Sequence, residues 1–184
     1  AYIRSTQKSP LNHITRLTVL EPTNYLKLDE STLRNLEIVA GLDGNKRGTL
    51  LATLDYTRTG MGGRLLRSWI IRPSLNLQQI QERLSAVQEL HDSAVRMGQL
   101  GKILSPIQDL ERLLGRVTLE TANARDLVAL RESLRQLPKV NRQLEDYASK
   151  LLRPHLDLLE DIVKLLQDAI ADDPPVGLSD GKII

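Results

Sequence analysis

The sequence contains no cysteine and no phenylalanine among its 184 residues, and aromatic residues make up only 3% of it. Without cysteine there is no disulfide framework, no thiolate metal site and no cysteine nucleophile. With so few aromatics the core has to be assembled from Leu, Ile, Val and Ala, which suits packed helices better than a sandwich of sheets. There is no run of 18 apolar residues and no signal-peptide pattern, so a membrane role has no support. Neither charge dominates: 25 Lys and Arg against 23 Asp and Glu leave +2, too little to argue for nucleic acid alone.

What is present is ordinary for a folded chain, with 41% hydrophobic and 26% charged residues in a length that suits one compact domain or a large piece of a longer protein. The charge is uneven, since residues 31–75 carry seven basic and three acidic groups whereas 138–184 carry six and nine. The start at Ala1 and the apolar finish at Ile183-Ile184 read as those of an excised fragment.

Periodicity predicts a mainly α fold, a helical core with long antiparallel helices and a few short β-strands. The first ten residues read as the tail of a helix stopped at Pro10, and Tyr25–Leu28 as a short strand after a Pro-Thr-Asn turn. Asp29 is placed to cap a helix reaching about Val39, and "GLDGNKRG" (41–48) to form a loop. Asn76 and Gln79 suggest a capping box ahead of the stripe Leu77, Ile80, Leu84, Val87 and His91. Ser105, Pro106 and Gln108 predict another helix start, with Ile107, Leu110, Leu113, Leu114 and Val117 on one face. Asn123 caps the next helix, whose stripe is Leu127, Leu130, Leu134 and Leu137, and Pro138 marks a break or kink. Val140, Leu144, Tyr147 and Leu151 extend a seven-residue pattern that admits a helical hairpin, a coiled coil or ordinary antiparallel packing. A last helix is expected from about Pro154 to Ala171, ended by "DDPP", with "KII" starting a strand or turn.

The stretch "DYTRTGMGGRLLRSW" (55–69) carries three glycines in four positions. A phosphate loop needs Gly-Lys-Ser/Thr, but Gly63 is followed by Arg64 and Leu65; a dinucleotide fingerprint needs a third glycine at 65. Both templates fail. The residues fit a helix capped by Thr57 or Thr59, with Gly62, Leu65, Leu66, Trp69 and Ile70 on its buried face and Arg64, Arg67 and Ser68 elsewhere. Glycine inside a helix costs about 1 kcal/mol against alanine, so Gly62 implies close packing. Arg58, Arg64, Arg67 and Arg72 are candidates for phosphate contact, but no aromatics interleave with them, and a solvated face or protein contact is the plainer reading. Histidines 13, 91 and 155 lack a second ligand at helical spacing, so no metal site is indicated. In "DLERLLGR" (109–116), Asp109 pairs with Arg112 at i, i+3, and positions 109 and 111 diverge on a helix, so acid–base chemistry has no support.

Taken in order, "LDESTLRNLEI" (28–38), "GTLLATLDYTRTGMGGRLLRSWIIRP" (48–73), "DLERLLGR" and "DGKII" resemble the core segment of the MutS family, the ATP-dependent mismatch-recognition proteins of DNA repair. The likeness covers nearly the whole chain, and T-R-T-x-M-G-x-R-x-L-x-x-W is its most specific part. The resemblance implies a helical core over 1–137 that follows a connector domain, and the start of a lever over 138–184 that leads toward a clamp, with an ATPase domain further on. It implies ATP and Mg for the longer parent, DNA as the parent's partner, a dimeric parent and a cytoplasmic, bacterial setting, with nuclear or organellar ones left open. This chain lacks the Phe-x-Glu mismatch wedge, having no Phe, and lacks the P-loop, so no cofactor and no catalysis are expected of it. Its implied role is structural and signal-transducing, with Asp55, Thr57, Thr59, Met61, Gly62, Arg64 and Trp69 at an interdomain junction and Arg58, Arg67 and Arg72 as DNA-phosphate contacts. The alternative is a stand-alone helical module that binds a partner protein or duplex DNA without sequence preference.

Overall fold

The computed structural model describes residues 24–175; the helix tail before Pro10, His13 and the strand or turn at residues 182–184 lie outside them. Among the described residues the chain forms nine helices: α1 (Glu30–Asn35), α2 (Leu50–Leu54), α3 (Gly60–Ile71), α4 (Leu77–His91), α5 (Ala94–Leu104), α6 (Leu110–Thr118), α7 (Ala124–Leu134), α8 (Leu137–Leu144) and α9 (Glu160–Ala169). The mainly α expectation holds. The strand expected at Tyr25–Leu28 is reduced to a single antiparallel bridge between Tyr25 and Ser74. Leu26 N–H donates to the Pro73 carbonyl at 2.8 Å, and Leu75 N–H to the Asn24 carbonyl at 2.9 Å. Pro73 has no N–H to extend a ladder, and Asp29 turns the chain into α1 three residues later.

Asp29 caps α1 as expected, its carboxylate accepting from Thr32 N–H at 2.7 Å. The helix stops at Asn35, short of Val39. Glu37 takes φ 47°, so that its own N–H reaches the Arg34 carbonyl and the Ile38 N–H reaches that of Leu33. This pair of bonds is a Schellman ending built on a glutamate. Helix α6 ends the same way at Glu120, φ 56°, with Glu120 N–H on Val117 and Thr121 N–H on Arg116.

Ser105 closes a helix where a start was expected. Its backbone is helical and its N–H still bonds the Gly101 carbonyl, so Pro106 follows the end of α5 and Asp109 opens α6 by accepting Arg112 N–H at 3.1 Å. Asn123 does cap α7, in a reciprocal box with Asp126. At Pro138 the chain breaks: α7 ends at Leu134, and Pro138 sits in the first turn of α8, where its missing N–H is not needed. The seven-residue pattern to Leu151 is therefore not one continuous helix, because α8 itself ends at Leu144. The last helix begins at Glu160 rather than Pro154, behind Leu159 in the left-handed region at φ 51°.

The core sits where α6, α7 and α9 meet. Leu113, Leu130 and Leu134 are buried there, against Leu110, Leu137, Leu159, Ile162, Val163 and Leu166. Burying each leucine contributes about 1.5–3 kcal/mol. Helix α5 packs on α4 and α8, with Tyr147 and Val140 buried on that side. Ser133, fully buried on α7, donates to the Ala129 carbonyl at 2.7 Å and accepts Gln108 N–H at 3.0 Å, which ties the 105–109 turn to the core. The stripe expected to bury α4 does not: Leu77, Leu84 and Val87 are exposed, His91 likewise, and the buried position is Ala86.

Candidate junction at the start of helix α3

The segment 55–71 folds as a strap followed by a helix. Asp55 accepts from Thr57 twice, from its N–H at 3.1 Å and its hydroxyl at 2.6 Å, and these bonds hold the Asp55 carboxyl below its ordinary range. Thr59, in extended backbone, then accepts Gly62 N–H at 3.1 Å and is the cap; Thr57 is not. The face that follows is half-buried at Met61, Gly62, Leu66, Trp69 and Ile70, while Leu65, expected inward, is 51% exposed.

The glycines are there for space. A methyl group on Gly62 would lie 3.1 Å from Thr59 Oγ1 and 3.4 Å from Thr57 Cβ. One on Gly60 would lie 3.0 Å from an Asp109 oxygen, and one on Gly63 3.3 Å from Thr57 Oγ1. The strap and the turn that opens α6 therefore lie against the first turn of α3. The close approach at Gly62 is made by threonine side chains rather than by a neighbouring backbone.

Arg64 joins the two motifs. Its guanidinium donates to both oxygens of Asp109, at 2.6 and 2.8 Å, and to Glu111 through Nε at 3.1 Å and through Nη2. Asp109 and Glu111 thus converge on one arginine, which corrects the expectation that they diverge. Asp109 is a cap residue with φ −70° and ψ 89°, so the helical wheel does not govern its direction. Its expected partner, Arg112, bonds it through a backbone N–H and forms no ion pair with it. At the far end of the same motif, Arg116 pairs with Asp126, a member of the box that opens α7. No local signal in the sequence marks this pairing, which joins residues 45 and 47 positions apart.

Trp69 is held on the other side of α3, with the Arg83 guanidinium 3.7 Å above its ring. Arg58, Arg67 and Arg72 are not brought together. Arg58 lies in the strap against Gly101 of α5, whereas Arg67 is exposed within α3 and Arg72 is exposed at its C-terminal end. Among the described residues no group of acids and histidines could hold a metal ion, and no helix is long and apolar enough to cross a membrane.

The Arg64 grip predicts an acid response. Hydrogen bonds from Arg64 bring Asp109 down to about 2, aided by Arg112 N–H and opposed by partial desolvation. Because the folded value lies below the ordinary 3.8, the unfolded chain takes up the proton first as pH falls. The grip's contribution is complete above about pH 4 and disappears as pH falls through about 2. In urea unfolding across that window, Arg64→Ala is expected to flatten the fall of the midpoint with pH relative to the parent sequence.

The sequence matches a known family. The model of MutS domain III matches residues 31–184. The chain is 47% identical over its whole length to the DNA mismatch repair protein MutS of Symbiobacterium thermophilum, 45% to that of Desulforamulus reducens and 41% to that of Methanothrix thermoacetophila. In each case it spans 22% of the relative's length, so it corresponds to about a fifth of those proteins. The family match over residues 31–184, with identities of 47% and 45% to two of these relatives, places the chain in the MutS family, as domain III.

Proposed function

We propose that the chain is the core of a DNA mismatch repair protein with the start of its lever, a structural and signal-transducing segment without catalytic groups of its own. The core occupies 1–137 and the lever begins at 138. The observation that carries this reading is the convergence of Asp109 and Glu111 on Arg64, because it fastens the strap-and-helix motif at α3 to the helix pair α6–α7. Distant sites are coupled through packed elements with discrete arrangements, and an over-determined joint of this kind moves as one body. Asp55, Thr57, Thr59, Met61, Gly62, Arg64 and Trp69 form that joint toward the parent's connector, clamp and ATPase domains. The parent binds ATP, Mg and DNA and works as a dimer in the cytoplasm; Arg58, Arg67 and Arg72 add phosphate contacts there.

The test is Arg64→Ala in the full-length parent, with ATP turnover measured with and without mismatched duplex, and duplex affinity measured separately. Mutations along a coupling route change coupling by about 0.5–2 kcal/mol, so stimulation by mismatched DNA is expected to fall roughly two- to thirty-fold while basal turnover persists. Unchanged stimulation at unchanged affinity overturns the reading. Submicromolar, salt-dependent duplex binding by the 184-residue chain alone would instead favour a stand-alone DNA-binding module.

A further inference from the structure

Arg131 lies on α7 with its side chain only 3% exposed. A buried guanidinium must find acceptors for its donors or impose a large desolvation cost. Its Nε donates to Glu132 at 3.0 Å, its Nη1 to the Ile170 carbonyl at 3.3 Å and its Nη2 to Asp172 at 2.7 Å. Two of these three acceptors lie just beyond the last turn of α9. Nearer the start of α7, Arg125 donates through Nε to the Pro174 carbonyl at 3.2 Å, and Pro174 is itself buried.

The contacts have a register. Residue 131 meets 170 and 172, and residue 125 meets 174, so the segment runs antiparallel along α7. Six helical residues rise about 9 Å, within the roughly 13 Å that four extended residues can reach. The chemistry is matched as well. Pro174 and Pro175 have no N–H, so this backbone offers carbonyl oxygens, and arginine supplies only donors. An arginine this buried is a poor source of net stability compared with apolar packing even when its partners are exposed acids, and the best-attested use of such a buried charge is to select one arrangement.

We infer that Arg131, seconded by Arg125, is a latch that fixes the direction in which the chain leaves the bundle after α9. Displacement of whatever follows residue 175 is thereby delivered to α7 instead of being absorbed in a loose joint. α7 also carries Ser133 and Asp126, whose bonds lead to the 105–109 turn and to α6. The latch stands on these contacts whether or not the proposed parent is correct.

The decisive variant is Asp172→Ala, because the Asp172 side chain is 90% exposed and an ordinary surface pair there would be nearly silent. The chain has no native cysteine, so nitroxides can be placed at Lys139→Cys and Asp173→Cys and their separation read by pulsed dipolar spectroscopy. The parent sequence is expected to give one narrow distance distribution, and Asp172→Ala a distribution at least twice as wide with unchanged helical circular dichroism. Arg131→Met, if it retains the helical signal, is expected to widen it further. A narrow distribution in Asp172→Ala overturns the latch, whatever Arg131→Met does.

Discussion

Leu134→Ala is expected to lower the stability of the chain by about 3 kcal/mol, within the range found for leucine truncations in packed cores. Leu134 is 5% exposed and stands with Leu113 and Leu130 where α6, α7 and α9 meet. The cost has two parts: the lost transfer energy of the isobutyl group, and a cavity that three helices held by caps and polar ties cannot close by sliding. Domains of this kind have a total of about 5–15 kcal/mol, so the loss is a substantial fraction. At this length the Tm is expected to fall by roughly 6–12 °C in thermal unfolding followed by circular dichroism. Leu84→Ala is the control, since Leu84 is 62% exposed, and its change should stay within about 0.5 kcal/mol. Equal losses at the two positions would mean that α4 and α7 are not arranged as described.

That contrast also shows which parts of the sequence could be read. Leu130 and Leu134 repeat beyond a cap whose side chain and N3 partner are both polar, and that combination has few other uses; helix α7 was legible for this reason. The stripe Leu77-Leu84-Val87 has the same spacing but lies on the exposed side of α4, because periodicity identifies an apolar face without saying whether a neighbour covers it. Ser105-Pro106 misled for a different reason. A serine before proline is a start signal only if the serine is extended, and here it ends α5 in helical backbone while Asp109 supplies the competing cap. The ends of α1 and α6 were invisible because each left-handed position is a glutamate where glycine is usual. At the junction, the helix after "DYTRT" and its glycine packing could be anticipated. The grip on Arg64 could not, since it joins residues 45 and 47 positions apart and depends on the non-helical backbone of Asp109.

Gly62→Leu is expected to destabilise the chain by roughly 1–3 kcal/mol, the usual cost of forcing extra carbon into a closely packed place. Propensity alone argues the other way, since replacing a helical glycine gains up to about 1 kcal/mol. At Gly62, however, the first added carbon already lies 3.1 Å from Thr59 Oγ1, the oxygen that accepts Gly62 N–H. Moving that hydroxyl weakens the cap, which is itself a contribution of about 1 kcal/mol, so Gly62→Ala should come out close to neutral. The remaining carbons of leucine must then displace Thr57, and with it the strap anchored on Asp55. Gly98 in α5 provides the comparison: nothing lies within 4 Å of where its Cβ would be, so Gly98→Ala should stabilise by about 0.5–1 kcal/mol. Urea unfolding of the three variants separates the two causes. If Gly62→Leu and Gly98→Ala both stabilise, the glycines of the motif are not required by the contacts of Thr57 and Thr59, and the strap does not hold the start of α3.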